Sequence, residues 1–158
     1  MDPFLTAFNH EYQRVDALSR QLIDRIADDQ LYLKPRRIEN SMAMFSCGEY
    51  ILRSAAMVEK TFGGITTRLW DDPFEWTLPE KLSLRTDITR YLDEVEETRI
   101  RGFAFIASDS ALLTQIPAPE TLLPLNTILL ETLLSASHYQ GRAFAVFQML
   151  SDEKLPRL

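Results

Sequence analysis

Four long stretches of this chain repeat their apolar residues at the spacing of an α-helix, and this repetition limits the accessible folds more than any other feature. In the first, residues 3 to about 27, Phe4, Phe8, Val15, Leu18, Leu22 and Ile26 share one side, and Tyr12 extends it. Asp2 is placed to cap this helix, and Pro3 suits its first turn, where no backbone N–H is needed. A charged turn, DDQLYLKPRRIEN, is broken by Pro35. The second helix is expected to open at Asn40 or Ser41 and to stop at Gly63–Gly64, because glycine readily takes the left-handed conformation of a helix end. Met42, Phe45, Leu52 and Ala56 mark its inner side, widened by Met44, Ile51 and Ala55. Gly48 then falls mid-helix, where glycine costs about 1 kcal/mol relative to alanine, so a close contact or space for a ligand is expected there. The third helix covers about 84–107, with Ile88, Leu92, Val95, Gly102 and Ile106 inward, and the fourth about 123–150. No strand stands out. The pattern predicts an all-α four-helix bundle, one domain over residues 1–158. The connection ITTRLWDDPFEWTLPEKLS, with Trp70, Phe74 and Trp76, is expected to lie against the bundle.

A net charge of −6 gives no support to a nucleic-acid footprint, and Lys34, Arg36 and Arg37 read as a solvated turn. No apolar run reaches the roughly 18 residues of a membrane span. The opening MDPFLTAFNHEYQR is acidic and amphipathic, unlike a secretory leader, so a cytoplasmic location is expected. Cys47, alone, excludes an internal disulfide framework.

The chemically interesting run is LLETLLSASHYQGRAFAVF, residues 129–147. Stepping by helical turns from Tyr139 reaches Ser135, Thr132 and Ile128 in one direction and Ala143, Val146 and Leu150 in the other, a face that can look inward. Ser135 and Tyr139 stand four apart, where a metal-binding helix places two ligands, but both are poor ligands for a borderline divalent ion. His138 is rotated by about 100° from Tyr139. It shares a stripe with Glu131, Leu134, Gly141, Arg142 and Ala145, whose small residues admit another helix, so an interface is expected there. His10 is expected to face water. Cys47 reads as a small buried hydrophobe before a nucleophile. A carboxylate-bridged di-metal centre needs Glu-x-x-His, and here Leu134 follows Glu131 and Leu52 follows Glu49. Phosphate-loop, serine-elbow and His-Glu-x-x-His motifs are missing.

Two regions, IADDQLYLKPRRIENSMAMFSCGEYILRSAAMVEKTFGG and LLPLNTILLETLLSASHYQGRAFAVFQML, give the chain a resemblance to the DinB-like (DinB/YfiT-like) putative metalloenzymes. The first is similar to that family's approach to a second helix bearing a histidine ligand. The second is similar to its closing helix, with two histidines four apart before Arg-Gly-Gln. On this chain the ligand positions fall at Gly48, Ser135 and Tyr139, and Arg-Gly-Gln becomes Gln140, Gly141 and Arg142. The resemblance implies an up-down-down-up bundle, a homodimer, and descent from divalent-metal-dependent thiol transferases. All three histidines are replaced, so no metal and no cofactor are expected, with a Zn or Ni centre as the alternative. The leading expectation is a small-molecule pocket among Gly48, Ser135 and Tyr139, rimmed by Tyr12, Cys47, Glu49 and Arg142. The alternatives are a degenerate thiol-dependent transferase or isomerase, and a non-catalytic homodimeric structural or stress-related protein joined through Glu131, His138, Gly141 and Ala145.

Overall fold

The computed structural model describes residues 2–35, 44–73 and 77–157. Arg36, Arg37, Asn40, Ser41, Met42, Phe74 and Trp76, to which the sequence reading gave roles, lie outside them. Four helices carry the fold: α1 (Pro3–Arg25), α2 (Cys47–Thr67), α3 (Arg85–Ile106) and α4 (Leu125–Leu150). A 3-10 turn, Asp109–Leu113, follows α3.

Side-chain bonds between helices give their directions. Arg20 of α1 meets Asp93 and Glu96 of α3, and Asn9 accepts from Arg99, so α1 and α3 run antiparallel. The Tyr12 hydroxyl donates to Leu129 O (2.7 Å) and Gln140 Nε2 to Ser19 Oγ (2.7 Å), so α1 and α4 run parallel. Ser54 Oγ donates to Ala136 O (2.8 Å) and Thr61 bonds Thr132 (2.7 Å), so α2 and α4 are antiparallel. The result is an all-α bundle with up-down-down-up directions, and the α2–α3 connection must travel the length of the bundle. Tyr12, Phe62 and Phe103 fill its centre with ring centroids 5.0–5.8 Å apart. Burying side chains of this size stabilises by about 1.5–3 kcal/mol each.

Several helix ends differ from expectation. α2 begins at Cys47, because Ser46 and Glu49 form a reciprocal capping box: Glu49 N donates to Ser46 Oγ (3.3 Å) and Ser46 N to Glu49 Oε2 (2.8 Å). Gly48 therefore sits in the first turn, not mid-helix. Gly63 and Gly64 do not stop α2, which runs to Thr67 and ends with Arg68 in the left-handed region (φ 63°). Gly64 is instead a packing position, since a Cβ there would lie 2.2 Å from Trp70 Cδ2. Asp2 does not cap α1 with its side chain. Asp109 does so from across the chain, accepting from Phe4 N (3.1 Å) and Leu5 N (2.8 Å), while Asp109 N donates to Asp2 Oδ2 (2.8 Å).

A short hairpin was also missed. β1 (Gln115–Pro117) pairs antiparallel with β2 (Leu122–Pro124), Ile116 opposite Leu123, and leads directly into α4. Three-residue strands containing proline are too short to show a period of two. Among the described residues, no helix is long and apolar enough to cross a membrane.

Candidate functional site

The three positions aligned with metal ligands are directed at different neighbours. Gly48 faces the turn after α1: a Cβ there would meet Tyr32 Cε1 at 2.7 Å, Leu31 O at 2.9 Å and Leu31 Cγ at 3.1 Å. The same turn is fastened to it, since Gly48 N donates to Leu31 O (2.8 Å). Ser135 instead opens on a cleft of about 220 Å³ beside Trp70, Lys60, Glu131 and Thr132. Tyr139 leans on Tyr50, with ring centroids 6.5 Å apart. Glycine supplies no donor atom, and a serine hydroxyl and a phenol are weak, protonated donors, so these residues do not fit a divalent ion. Among the described residues, no group of three His, Cys, Asp or Glu side chains is arranged to hold one.

The rim candidates have structural occupations of their own. Tyr12 is buried in the core, and burial pushes its phenol upward. Cys47 is fully buried, which pushes its thiol up to about 12 and disfavours the nucleophilic thiolate. The Glu49 carboxylate completes the capping box. The Arg142 guanidinium lies 6.0 Å from the Tyr50 ring, and the Arg53 guanidinium 3.8 Å above Phe45, whose ring meets Tyr50 edge-on at 5.5 Å. This end of the bundle is thus a layer of aromatic rings faced by two arginines.

The stripe read as an interface lies outward. Glu131, His138, Gly141 and Ala145 are all exposed, and so are Leu130 (50%) and Leu134 (62%) on the same side of α4. A Cβ added at Gly141 would meet nothing within 4 Å. His10 is exposed too, paired with Glu11 at 3.2 Å.

Sequence reasoning missed an ionic cluster between α1 and α3 that contains one buried arginine. Arg99 is 2% exposed; it donates to Asn9 Oδ1 and reaches Glu96 at 3.5 Å, and its Nε has no partner. Beside it, Arg20 is held by Asp16 (2.8 Å), Asp93 (2.6 Å) and Glu96 (3.3 Å). Burial raises the Asp16 carboxyl above its usual value, opposed by Arg20. The signal was legible in α3, where Arg99 occupies the inner position between Val95 and Gly102.

Set against protein families, curated proteins and solved structures, the chain matches none of them.

Proposed function

We propose that the chain is a divergent DinB-like bundle that works as a non-catalytic homodimer, with the outer stripe of α4 as its seam. The supporting observation is the composition of that helix. α4 has 26 residues, and Glu131 and Arg142 are its only Asp, Glu, Lys or Arg. α3, by contrast, carries charges in every turn from Arg85 to Arg101. Large apolar side chains nevertheless face outward from α4, with Leu130 (50%), Leu134 (62%) and Met149 (60%) exposed alongside Glu131, His138 and Arg142, because α1 and α2 cover only one side of it.

The exposed stripe also has a polarity of size that favours a second copy. Leu130 and Leu134 lie toward its start, Gly141 and Ala145 toward its end. An antiparallel pair about a two-fold axis between Ser137 and His138 sets Leu134 on Gly141 of the second copy and Leu130 on Ala145, large on small at both ends. The stripe's alternating steps of three and four are those of a coiled-coil seam, and a two-fold contact is self-complementary in this way. In the same register Glu131 and Arg142 of the second copy are offset by only about 3 Å along the axis, two helical rises, within reach of pairing.

Sedimentation velocity tests this. The parent chain is expected at twice its 18.2 kDa mass, and Leu134→Glu at the single mass with unchanged helical circular dichroism. Glu131→Arg or Arg142→Glu alone is expected to weaken the dimer and the double exchange to restore it. A monomeric parent chain, or an intact Leu134→Glu dimer, refutes the seam.

A further inference from the structure

An apolar groove lies at the end of the bundle where α1 begins, beside the start of the α4 stripe. It is open on one side, offers about 580 Å³ and is walled by Phe4, Phe8, Leu112, Leu113 and Leu130. Leu112 is buried at its floor, whereas Phe4 (68%) and Leu113 (72%) stand exposed as its lips. The volume is that of a small-molecule site, which typically spans about 300–1,000 Å³ with apolar walls and few polar groups.

We propose that this groove binds an uncharged, largely apolar molecule carrying one hydroxyl or carbonyl end. Its walls come from three separate segments that are already fastened together. The Asp109 carboxylate holds the first backbone N–H groups of α1, Asp2 holds Asp109 N, and Leu125 N donates to Thr114 O (3.1 Å). A groove fixed in this way loses little freedom when a ligand enters.

Charge decides the ligand class. Among the described residues no Lys, Arg or His lines the groove, so a carboxylate or phosphate would be desolvated there with no cation to pair with it. Among the described residues Asp109 is the one charged group of the wall, and both its oxygens are occupied at the positive end of α1, which offsets its pull on an ammonium group. The neutral polar residues described in the lining are Ser110, Asn126 and Thr127, and only Asn126 carries an amide. Its Oδ1 accepts from Thr127 N (2.7 Å), which leaves the amide –NH₂ to donate to a neutral oxygen.

The test titrates the full chain with the uncharged fluorophore N-phenyl-1-naphthylamine. The bound probe is then displaced with decan-1-ol, decanoate and decylammonium, which differ only in their end group. Saturable probe binding is expected, with the alcohol competing at concentrations about tenfold below either ion. Leu113→Glu, at an exposed lip outside the α4 stripe, is expected to weaken probe binding about tenfold with the sedimenting mass and melting curve unchanged. No saturable binding by the parent chain, equal binding by Leu113→Glu, or either ion competing as well as the alcohol overturns the proposal. A changed mass for Leu113→Glu also overturns it, because the groove would then be covered by another copy. Leu130 belongs to both the groove wall and the α4 seam, so the titration is repeated on the separated Leu134→Glu chain: saturable probe binding there upholds the groove whether or not the seam exists, and its loss there overturns the groove.

Discussion

Replacing Gly48 by alanine measures how tightly the turn after α1 is pressed against α2. The new methyl carbon would stand 2.7 Å from Tyr32 Cε1 and 2.9 Å from Leu31 O, and the second of these is backbone. Neither neighbour is free to retreat. Leu31 O accepts from Gly48 N at 2.8 Å, and the Tyr32 hydroxyl donates to Leu82 O. Overpacking of this kind costs about 1–3 kcal/mol, and loosening one of the two hydrogen bonds adds about 0.5–1.5 kcal/mol. Against this, alanine gains up to about 1 kcal/mol of helix propensity, and less in a first turn than in an interior. A net loss of about 1–3 kcal/mol is expected, read as a lower urea midpoint with an unchanged slope. Gly63→Ala is the control, because its nearest neighbour outside the helix, Leu69 O, would be 3.8 Å from the added carbon. That variant is expected to gain about 0.5–1 kcal/mol. A Gly48→Ala protein as stable as the parent would refute the reasoning, since the turn would then yield freely and a side chain at that position would be accommodated.

Two further outcomes follow from burial. Cys47, enclosed and with its thiol pushed up to about 12, is expected to react with a disulfide reagent at pH 8 orders of magnitude more slowly in the native protein than in denaturant, and comparable rates would place it at the surface. Burial raises the Glu59 carboxyl, partly opposed by the hydrogen bond it accepts from Tyr91 (2.5 Å). The folded protein therefore holds that proton more tightly than the unfolded chain. The stabilisation from Glu59 is present in acid and lost as pH rises through the folded value, so Glu59→Gln is expected to flatten the gain in urea midpoint as pH falls from neutral toward the ordinary carboxyl value of about 4.5.

The helices were legible because each is long and periodic, and their ends were not because ends are decided by single contacts. The start of α2 was in fact written in Ser46-Cys47-Gly48-Glu49, a capping box, but Asn40 and Ser41 competed as earlier caps. Gly63–Gly64 looked like a stop because the local chemistry of glycine is the same whether it ends a helix or admits an indole; only the position of Trp70 separates the two. Asp109 as the cap of α1 has no local signal at all, since the partners are 104 and 105 residues apart. The candidate ligand positions could be aligned from spacing, but the direction each one faces depends on which turn or helix lies opposite. The apolar groove depends on three segments meeting at one end of the bundle, which periodicity within a segment cannot describe.

The distribution of charge explains why α4, rather than α1 or α3, is the surface to test for a partner. α1 and α3 bring ionised groups into their contact, with Arg99 buried and Arg20 shared among Asp16, Asp93 and Glu96. Pairs with carboxylates as exposed as Asp93 and Glu96 add little net stability, whereas the buried Arg99 would be costly to leave without its partners. α4 is held by neutral bonds instead: Tyr12 to Leu129 O, Ser54 to Ala136 O, Thr61 with Thr132, and Gln140 to Ser19. Its inner side therefore has its register fixed without charge, and its outer side sets only Glu131 and Arg142 beside the exposed Leu130 and Leu134. If α4 were only a surface helix, Leu134→Glu would change monomer stability by no more than about 0.5 kcal/mol and would improve solubility. If α4 is half of a seam, the same substitution desolvates a carboxylate against Gly141 of the second copy and separates the chains. The unfolding midpoint of the dissociated chain and the sedimenting mass of the parent thus answer different questions, and only the mass can decide between these two accounts of the exposed leucines.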